Sequence, residues 1–121
     1  MNYFEELLRQ ANDARTRIRE LSPREARSFL ENGTLLIDVR EESEFKTGHI
    51  SGAIPLSLEA IESRIGETVP DKATPLMCYC NLGHRSALAA DKLQKLGYSS
   101  VASIEGGLKA YLAGTQSRQT A

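Results

Sequence analysis

Two cysteines stand two residues apart in the stretch LMCYCNLGHRS, and the second, Cys80, is placed for nucleophilic chemistry. A buried-strand pattern precedes it, and a helical pattern follows after a short loop. Gly83 gives that loop the backbone freedom to curl around the sulfur. The N–H groups of the loop and of the first helical turn then point inward and form a nest for an anion. A thiol in such a field ionises more readily and is more nucleophilic.

The alternative for Cys80 is a buried, inert cysteine at the end of a strand. A second residue of the loop, Arg85, bears on this choice. The first turn of a helix is a poor place for a cation, because the helix dipole is already positive there. This misfit favours a functional role for Arg85, in which it braces the loop or holds an anionic donor. The alternative is a solvated side chain.

Composition excludes several classes of protein. A chain of 121 residues is large enough for one domain with a core of its own, and 15 Lys+Arg against 16 Asp+Glu leave no basic excess for nucleic acid. The apolar runs are too short to cross a membrane, and the start MNYFEELLRQ lacks the pattern of a signal peptide. We therefore expect a cytoplasmic protein with free thiols and no nucleic-acid or membrane partner.

The elements that must position Cys80 are short strands alternating with helices. This order predicts an α/β sheet of parallel strands, with ligands bound at the carboxyl ends of the strands. Asp38 and Cys80 both fall at that edge. The predicted strands are Thr34–Val39, the short IPL segment, Leu76–Cys80 and SVASI. The predicted helices are Tyr3–Leu21, a capped helix from Ser22 to about Asn32, Leu58–Ile65 with Ser57 as its cap, one from about Ala87 to Leu96, and Leu108–Leu112.

Three segments resemble, in order and spacing, the signature blocks of the rhodanese-like sulfurtransferases. They are LLIDVREESEFKTGHISGAIPL, CYCNLGHRSALAADKLQKLGY and SIEGGLKAY. The resemblance implies a rhodanese-like α/β fold, with a mostly parallel five-stranded sheet flanked by helices. It does not cover the start of the chain, where the helical spacing of apolar residues predicts an extra N-terminal helix. The chain is thus divided into an amphipathic arm at 1–20, a rhodanese-like domain at 21–113 and a polar tail at 114–121 that we expect to be disordered.

The resemblance also implies a single-domain enzyme similar to thiosulfate sulfurtransferases. Cys80 would take a sulfane sulfur from thiosulfate or a persulfide and hold it as a persulfide. It would then pass the sulfur to cyanide, a thiol or a partner protein of a sulfur relay. No cofactor or metal is implied. The residues expected to bind the substrate are Asn81, Leu82, Gly83, His84, Arg85 and Ser86, with Asp38 and Arg40 as supporting residues that organise the loops.

Several alternatives stay open at this point. Cys78 shares a face with Cys80, and we expect it to pack in the core, although it could serve as a resolving thiol. His84 could reach the sulfur or the donor, whereas we expect His49 to bond nearby backbone or a carboxylate. The fold could be a non-catalytic binding module. A cysteine-dependent phosphatase fits less well, because its loop is C-x5-R and Cys80 to Arg85 is C-x4-R.

Departures from the family pattern concern the rim of the site and the arm. Asn81 and Leu82 stand where thiosulfate-using members often carry Arg or Lys, so the electrostatic attraction for a dianion is weaker. Leu108 replaces a tryptophan, so we expect a smaller apolar wall there, and Ser51 replaces a proline. The apolar stripe of the arm must be buried, on its own domain or on a second subunit or partner enzyme.

Overall fold

Strands and helices alternate along the described part of the chain, residues 2–120, in a computed structural model that describes side chains through Gly114. The strands are β1 (Arg19–Leu21), β2 (Leu35–Asp38), β3 (Ile54–Pro55), β4 (Leu76–Tyr79) and β5 (Val101–Ile104). The helices are α1 (Tyr3–Arg15), α2 (Pro23–Glu31), α3 (Glu42–Thr47), α4 (Ile61–Thr68), α5 (His84–Lys95) and α6 (Gly107–Thr120). The sheet order is β1-β5-β4-β2-β3, and each neighbouring pair is parallel. The predicted α/β fold with a five-stranded sheet flanked by helices is confirmed.

Two apolar layers cover the sheet, because successive side chains of a strand point to opposite faces. Ile37 and Cys78 pack with Leu93 on the face covered by α4 and α5. Met77 and Ile104 pack on the other face, under α2 and α6. Each layer is a helix-on-sheet interface. Together the two layers hold the strands in place, and so position the loops that follow the strands at the carboxyl edge.

Helix α1 folds back onto helix α5 of the same chain. Ala11 and Ala14 are fully buried, so the middle of the apolar stripe packs in cis. Arg17 clamps the helix with two hydrogen bonds to the carboxylate of Asp91 on α5, at 3.1 and 2.9 Å. Phe4 at the start of the helix remains 53% exposed. The stripe is therefore buried by its own domain only in part.

The start of the chain differs from the predicted single helix over Tyr3–Leu21. Helix α1 ends at Arg15, and the segment Arg19–Leu21 is the edge strand β1, which pairs with β5. An apolar residue at Leu21 fits a helical and an extended pattern equally well, and three residues are too few to show a period of two. The predicted division at residues 20 and 21 falls inside β1, and it stays a prediction.

Helix boundaries follow local sequence where a capping side chain is present. Ser22 and Glu25 form the predicted capping box at the start of α2. The prediction of Ser57 as a cap was wrong, since α4 begins at Ile61 with Ala60 as its N-cap. The predicted disordered tail at 114–121 overlaps the second half of α6, which runs to Thr120, and its disorder stays a prediction. No helix in the described residues is long and apolar enough to span a membrane.

Candidate active site

The loop between β4 and α5 wraps around one sulfur atom. Tyr79 ends the strand and His84 begins the helix, so four residues make the turn. Gly83 allows this with a left-handed backbone, at φ 97°, which other residues rarely adopt. The predicted role of this glycine is thus visible in the backbone itself.

Two backbone N–H groups donate to the sulfur of Cys80. The N–H of Gly83 lies 3.2 Å from Sγ and that of Ser86 lies 3.4 Å from it. The hydroxyl of Ser86 lies 3.6 Å from Sγ and 2.8 Å from the hydroxyl of Ser103. Cys80 is 1% exposed. Donors fixed around a buried atom stabilise negative charge on it without reorganising, which is the arrangement of an anion hole.

Gly107 lets helix α6 lie close against the backbone of the cysteine loop. The backbone of α6 approaches the loop so closely that a Cβ at this glycine would lie 2.5 Å from the carbonyl oxygen of Cys80. The N–H of Leu108 donates to that carbonyl at 2.8 Å. The side chain of Leu108 packs in the core layer under α2 and α6. The expectation that Leu108 forms a wall of the pocket was therefore wrong, because the helix presents its N–H, not its side chain, to the loop.

Arg85 is held by a carboxylate that the sequence interpretation missed. Its guanidinium donates two hydrogen bonds to Glu44 on α3, at 2.7 and 3.1 Å. This pairing lowers the pKa of Glu44 to about 2. Asn81 donates to the same carboxylate at 2.9 Å. Glu44 follows β2 in the chain and so returns to the carboxyl edge where Cys80 lies, which is the one signal that pointed to it.

A buried network supports the loop from below. Asp38 and Arg40 form a salt bridge at 2.9 Å, and Arg40 also donates to the side-chain oxygen of Asn81 at 3.1 Å. The hydroxyl of Tyr79 donates to Asp38 at 2.7 Å and accepts from the N–H of Ile50. These bonds tie β2, β4 and the chain after α3 to one another. Arg40 thus bonds directly to the loop at Asn81, and Asp38 supports it by holding Arg40 and Tyr79.

Helix α1 reaches the loop through Arg15. Its guanidinium donates to the carbonyl of Gly83 and to Nδ1 of His84, both at 3.1 Å. Phe4 meets the same imidazole edge-on, with ring centroids 6.0 Å apart. Burial and the nearby Arg15 charge lower the pKa of His84. His49 lies apart from this cluster, stacked on Phe45. No pattern in the sequence indicated that the N-terminal helix contacts the site.

The two cysteines differ in environment although they share a face of the sheet. Cys78 is fully buried in the core layer, and burial raises its pKa to about 12. Both thiols are free. The cradle of N–H groups surrounds Cys80 alone, so only one of the two sulfurs has donors ready for a negative charge.

A cavity of about 290 Å³ opens beside Cys80. It is lined by Tyr3, Phe4, Leu7, Cys80, Asn81, Leu82, His84 and Arg85. Five of these eight residues belong to the predicted loop set or are its cysteine, and three come from α1. Gly83 and Ser86 instead act through their backbone N–H groups beneath it. No group of metal-ligating side chains is present in the described residues.

The sequence model of the rhodanese-like domain family matches residues 22–114, which is more than half of the chain. The chain belongs to the rhodanese-like family. The thiosulfate sulfurtransferase GlpE of Ectopseudomonas mendocina is 34% identical over 95 residues, 78% of this chain and 85% of that protein. PspE, a thiosulfate sulfurtransferase of Escherichia coli K12, is 40% identical over 73 residues, 60% of this chain and 69% of that protein.

A solved structure extends this similarity to the N-terminal helix. It is a protein of unknown function from Rhodopseudomonas palustris, described as a possible tyrosine phosphatase. It superposes with a TM-score of 0.78 at 26% identity and covers 95% of this chain and 92% of its own. A rhodanese-like fold is thus compatible with two descriptions of activity, and the geometry of the loop has to separate them.

Proposed function

We propose that this rhodanese-like protein is a sulfurtransferase that carries sulfur on Cys80. The observation that supports it best is the pair of N–H groups aimed at Sγ, because the reaction places negative charge there twice, first on the thiolate and then on the persulfide. The names of the GlpE and PspE relatives support a small-molecule donor such as thiosulfate. A partner protein of a sulfur relay is a further acceptor in this proposal.

The reaction needs no redox partner. The Cys80 thiolate attacks the terminal sulfur of thiosulfate, a sulfur–sulfur bond forms, and the bond to the sulfonyl sulfur breaks with its electron pair on the departing sulfite. The persulfide then lies in the cradle formed by Gly83 and Ser86. Cyanide or a thiolate attacks its outer sulfur, and the electron pair of the broken bond restores the Cys80 thiolate.

The loop fits this reaction better than phosphoryl transfer. A C-x4-R loop is one residue shorter than that of the cysteine-dependent phosphatases, and its donors converge on a single sulfur atom. Arg85 is paired with Glu44 at 2.7 Å, which compensates the positive charge that a phosphoryl dianion would need. A non-catalytic binding module would have no use for the N–H groups of Gly83 and Ser86 directed at a buried thiol.

Intact-mass spectrometry after incubation with thiosulfate tests the proposal. We expect an adduct of roughly 32 Da, one sulfur atom, that maps to Cys80 and disappears with cyanide. Cys80→Ser should abolish the adduct and turnover. Cys78→Ser is the matched control and should keep most activity, because the high pKa of Cys78 leaves it protonated and it lacks the cradle. Turnover in Cys80→Ser would refute the proposal, and a persulfide that stalls in Cys78→Ser would make Cys78 a resolving thiol.

A further inference from the structure

Exposed apolar side chains gather around the cavity beside Cys80. Four large hydrophobic residues are exposed in the described part of the chain, and three of them, Tyr3, Phe4 and Leu82, line this cavity. Leu7 of α1 is a fourth apolar lining residue. Contiguous exposed apolar surface at a pocket is typical of a binding site, because its contact with water is unfavourable until a ligand covers it.

The charged groups of the cavity are already compensated. Arg85 is paired with Glu44, and the lowered pKa of His84 leaves its imidazole neutral near pH 7. Arg15, beside His84, is paired with Glu20 at 3.1 Å. A dianion entering this cavity would lose hydration and find few uncompensated donors besides the backbone cradle.

The size of the cavity also exceeds what a small inorganic anion needs. An apolar cavity of about 150 Å³ is enough for benzene, and this one holds about 290 Å³. An aromatic or branched aliphatic group can therefore lie against Phe4 and Leu82 while a sulfur attached to it reaches Cys80.

We propose that helix α1 forms an apolar subsite for the organic group of a small sulfane-sulfur compound. The substrate class is an organic persulfide or thiosulfonate with an aromatic or branched aliphatic substituent held by Phe4, Leu7 and Leu82. This inference rests on the sulfurtransferase function proposed above. With a thiosulfonate, the Cys80 thiolate bonds to the terminal sulfur, the sulfur–sulfonyl bond breaks, and its electron pair leaves with the organic sulfinate.

The test compares two thiosulfonates that share the reacting group, benzenethiosulfonate and methanethiosulfonate, with thiosulfate as a third donor. The measured quantity is kcat/KM for sulfur transfer to cyanide, expressed as the ratio of the phenyl to the methyl donor. Phe4→Ala should lower this ratio about fivefold, the effect of one lost aromatic contact. Leu112→Ala removes an equally exposed apolar side chain outside the cavity and should leave the ratio unchanged. A ratio that Phe4→Ala does not lower overturns the subsite.

A second measurement does not depend on turnover. The chain contains no tryptophan, so Phe4→Trp places the sole indole in the cavity wall and Leu112→Trp places it outside. Benzenesulfinate, the product of the phenyl donor, should quench the fluorescence of Phe4→Trp saturably and leave that of Leu112→Trp unchanged. Equal responses of the two variants overturn the subsite. If no donor transfers sulfur at all, the proposed function fails, and that result is distinct from transfer with an unchanged ratio.

Discussion

Neutralising Glu44 should make the protein a better thiosulfate enzyme. In the folded chain the guanidinium of Arg85 donates two hydrogen bonds to this carboxylate, and Asn81 donates a third. Glu44→Gln keeps the shape of the side chain and removes its charge. Arg85 then faces the cavity as an uncompensated cation beside the site where a dianionic donor must lie.

The expected gain is modest because the pair is partly exposed. Two unit charges about 7 Å apart interact by roughly 2 kcal/mol at an effective dielectric constant of about 20, and salt reduces this to about 1 kcal/mol. That free energy corresponds to about a fivefold lower KM for thiosulfate. Loss of the ion pair should cost about 1 kcal/mol of folding free energy, since side chains exposed by 24% and 29% are partly screened.

Steady-state kinetics with thiosulfate and cyanide measures the effect. Glu42→Gln is the matched control, because Glu42 lies on the same helix, carries the same charge and pairs only with the exposed Lys46. It should leave the KM unchanged. An unchanged or higher KM in Glu44→Gln, in a protein that is still folded, would refute the reasoning and show that Arg85 binds the donor while paired.

Acid unfolding gives an independent check on the same pair. The pKa of Glu44 falls from its ordinary 4.5 to about 2 on folding, so its contribution to stability is present above about pH 4.5 and is lost as the pH falls toward 2. The difference in unfolding free energy between the natural protein and Glu44→Gln should therefore shrink across that window. A difference that stays constant from pH 6 to about pH 2 would contradict the pairing.

Three further substitutions test other parts of the structure. Leu82→Arg should lower the thiosulfate KM about twofold to fivefold. Asn81→Arg should not, because the Asn81 side chain accepts a hydrogen bond from Arg40 and donates one to Glu44, and both would be lost; a larger drop in KM for Asn81→Arg than for Leu82→Arg would contradict this. Asp91→Asn should lower the unfolding free energy in urea by about 1–2 kcal/mol by releasing α1 from α5, with the difference lost in acid because ion pairing lowers the pKa of Asp91. Tyr79→Phe should cost about 1–3 kcal/mol in the same assay, since the buried N–H of Ile50 loses its acceptor; a neutral result would mean that water replaces the hydroxyl.

Local signals were sufficient where a short stretch of chain decides its own conformation. The capping box of Ser22 and Glu25 was predictable because its two hydrogen bonds join residues three apart. The turn at Gly83 was predictable because a strand, four residues and a helix leave few paths for the backbone. Position on the carboxyl edge likewise placed Asp38 and Cys80 together, since parallel strands end on the same side.

Long-range pairings carried no comparable signal. Strand β1 is three residues long and is an edge strand only because β5 lies beside it. The side chain of Leu108 packs against the core because α6 packs on α2. The resemblance to a family position that often carries tryptophan does not indicate this orientation. The partner of Arg85 could not be chosen from the sequence, because the segment REESEF contains three glutamates that lie nearly the same number of residues from Arg85.

By itself, the sequence determined that Cys80 follows a buried strand, that a tight glycine turn surrounds it and that the sheet is parallel, because periodicity and turn chemistry act over a few residues. Only the tertiary structure decided what fills the space above the sulfur. Packing of α1 on α5 brings Phe4 and Leu7 to the cavity, and ion pairing between α3 and α5 compensates the charge of Arg85. Both depend on contacts between distant segments, whose energies arise only when the whole sheet has formed.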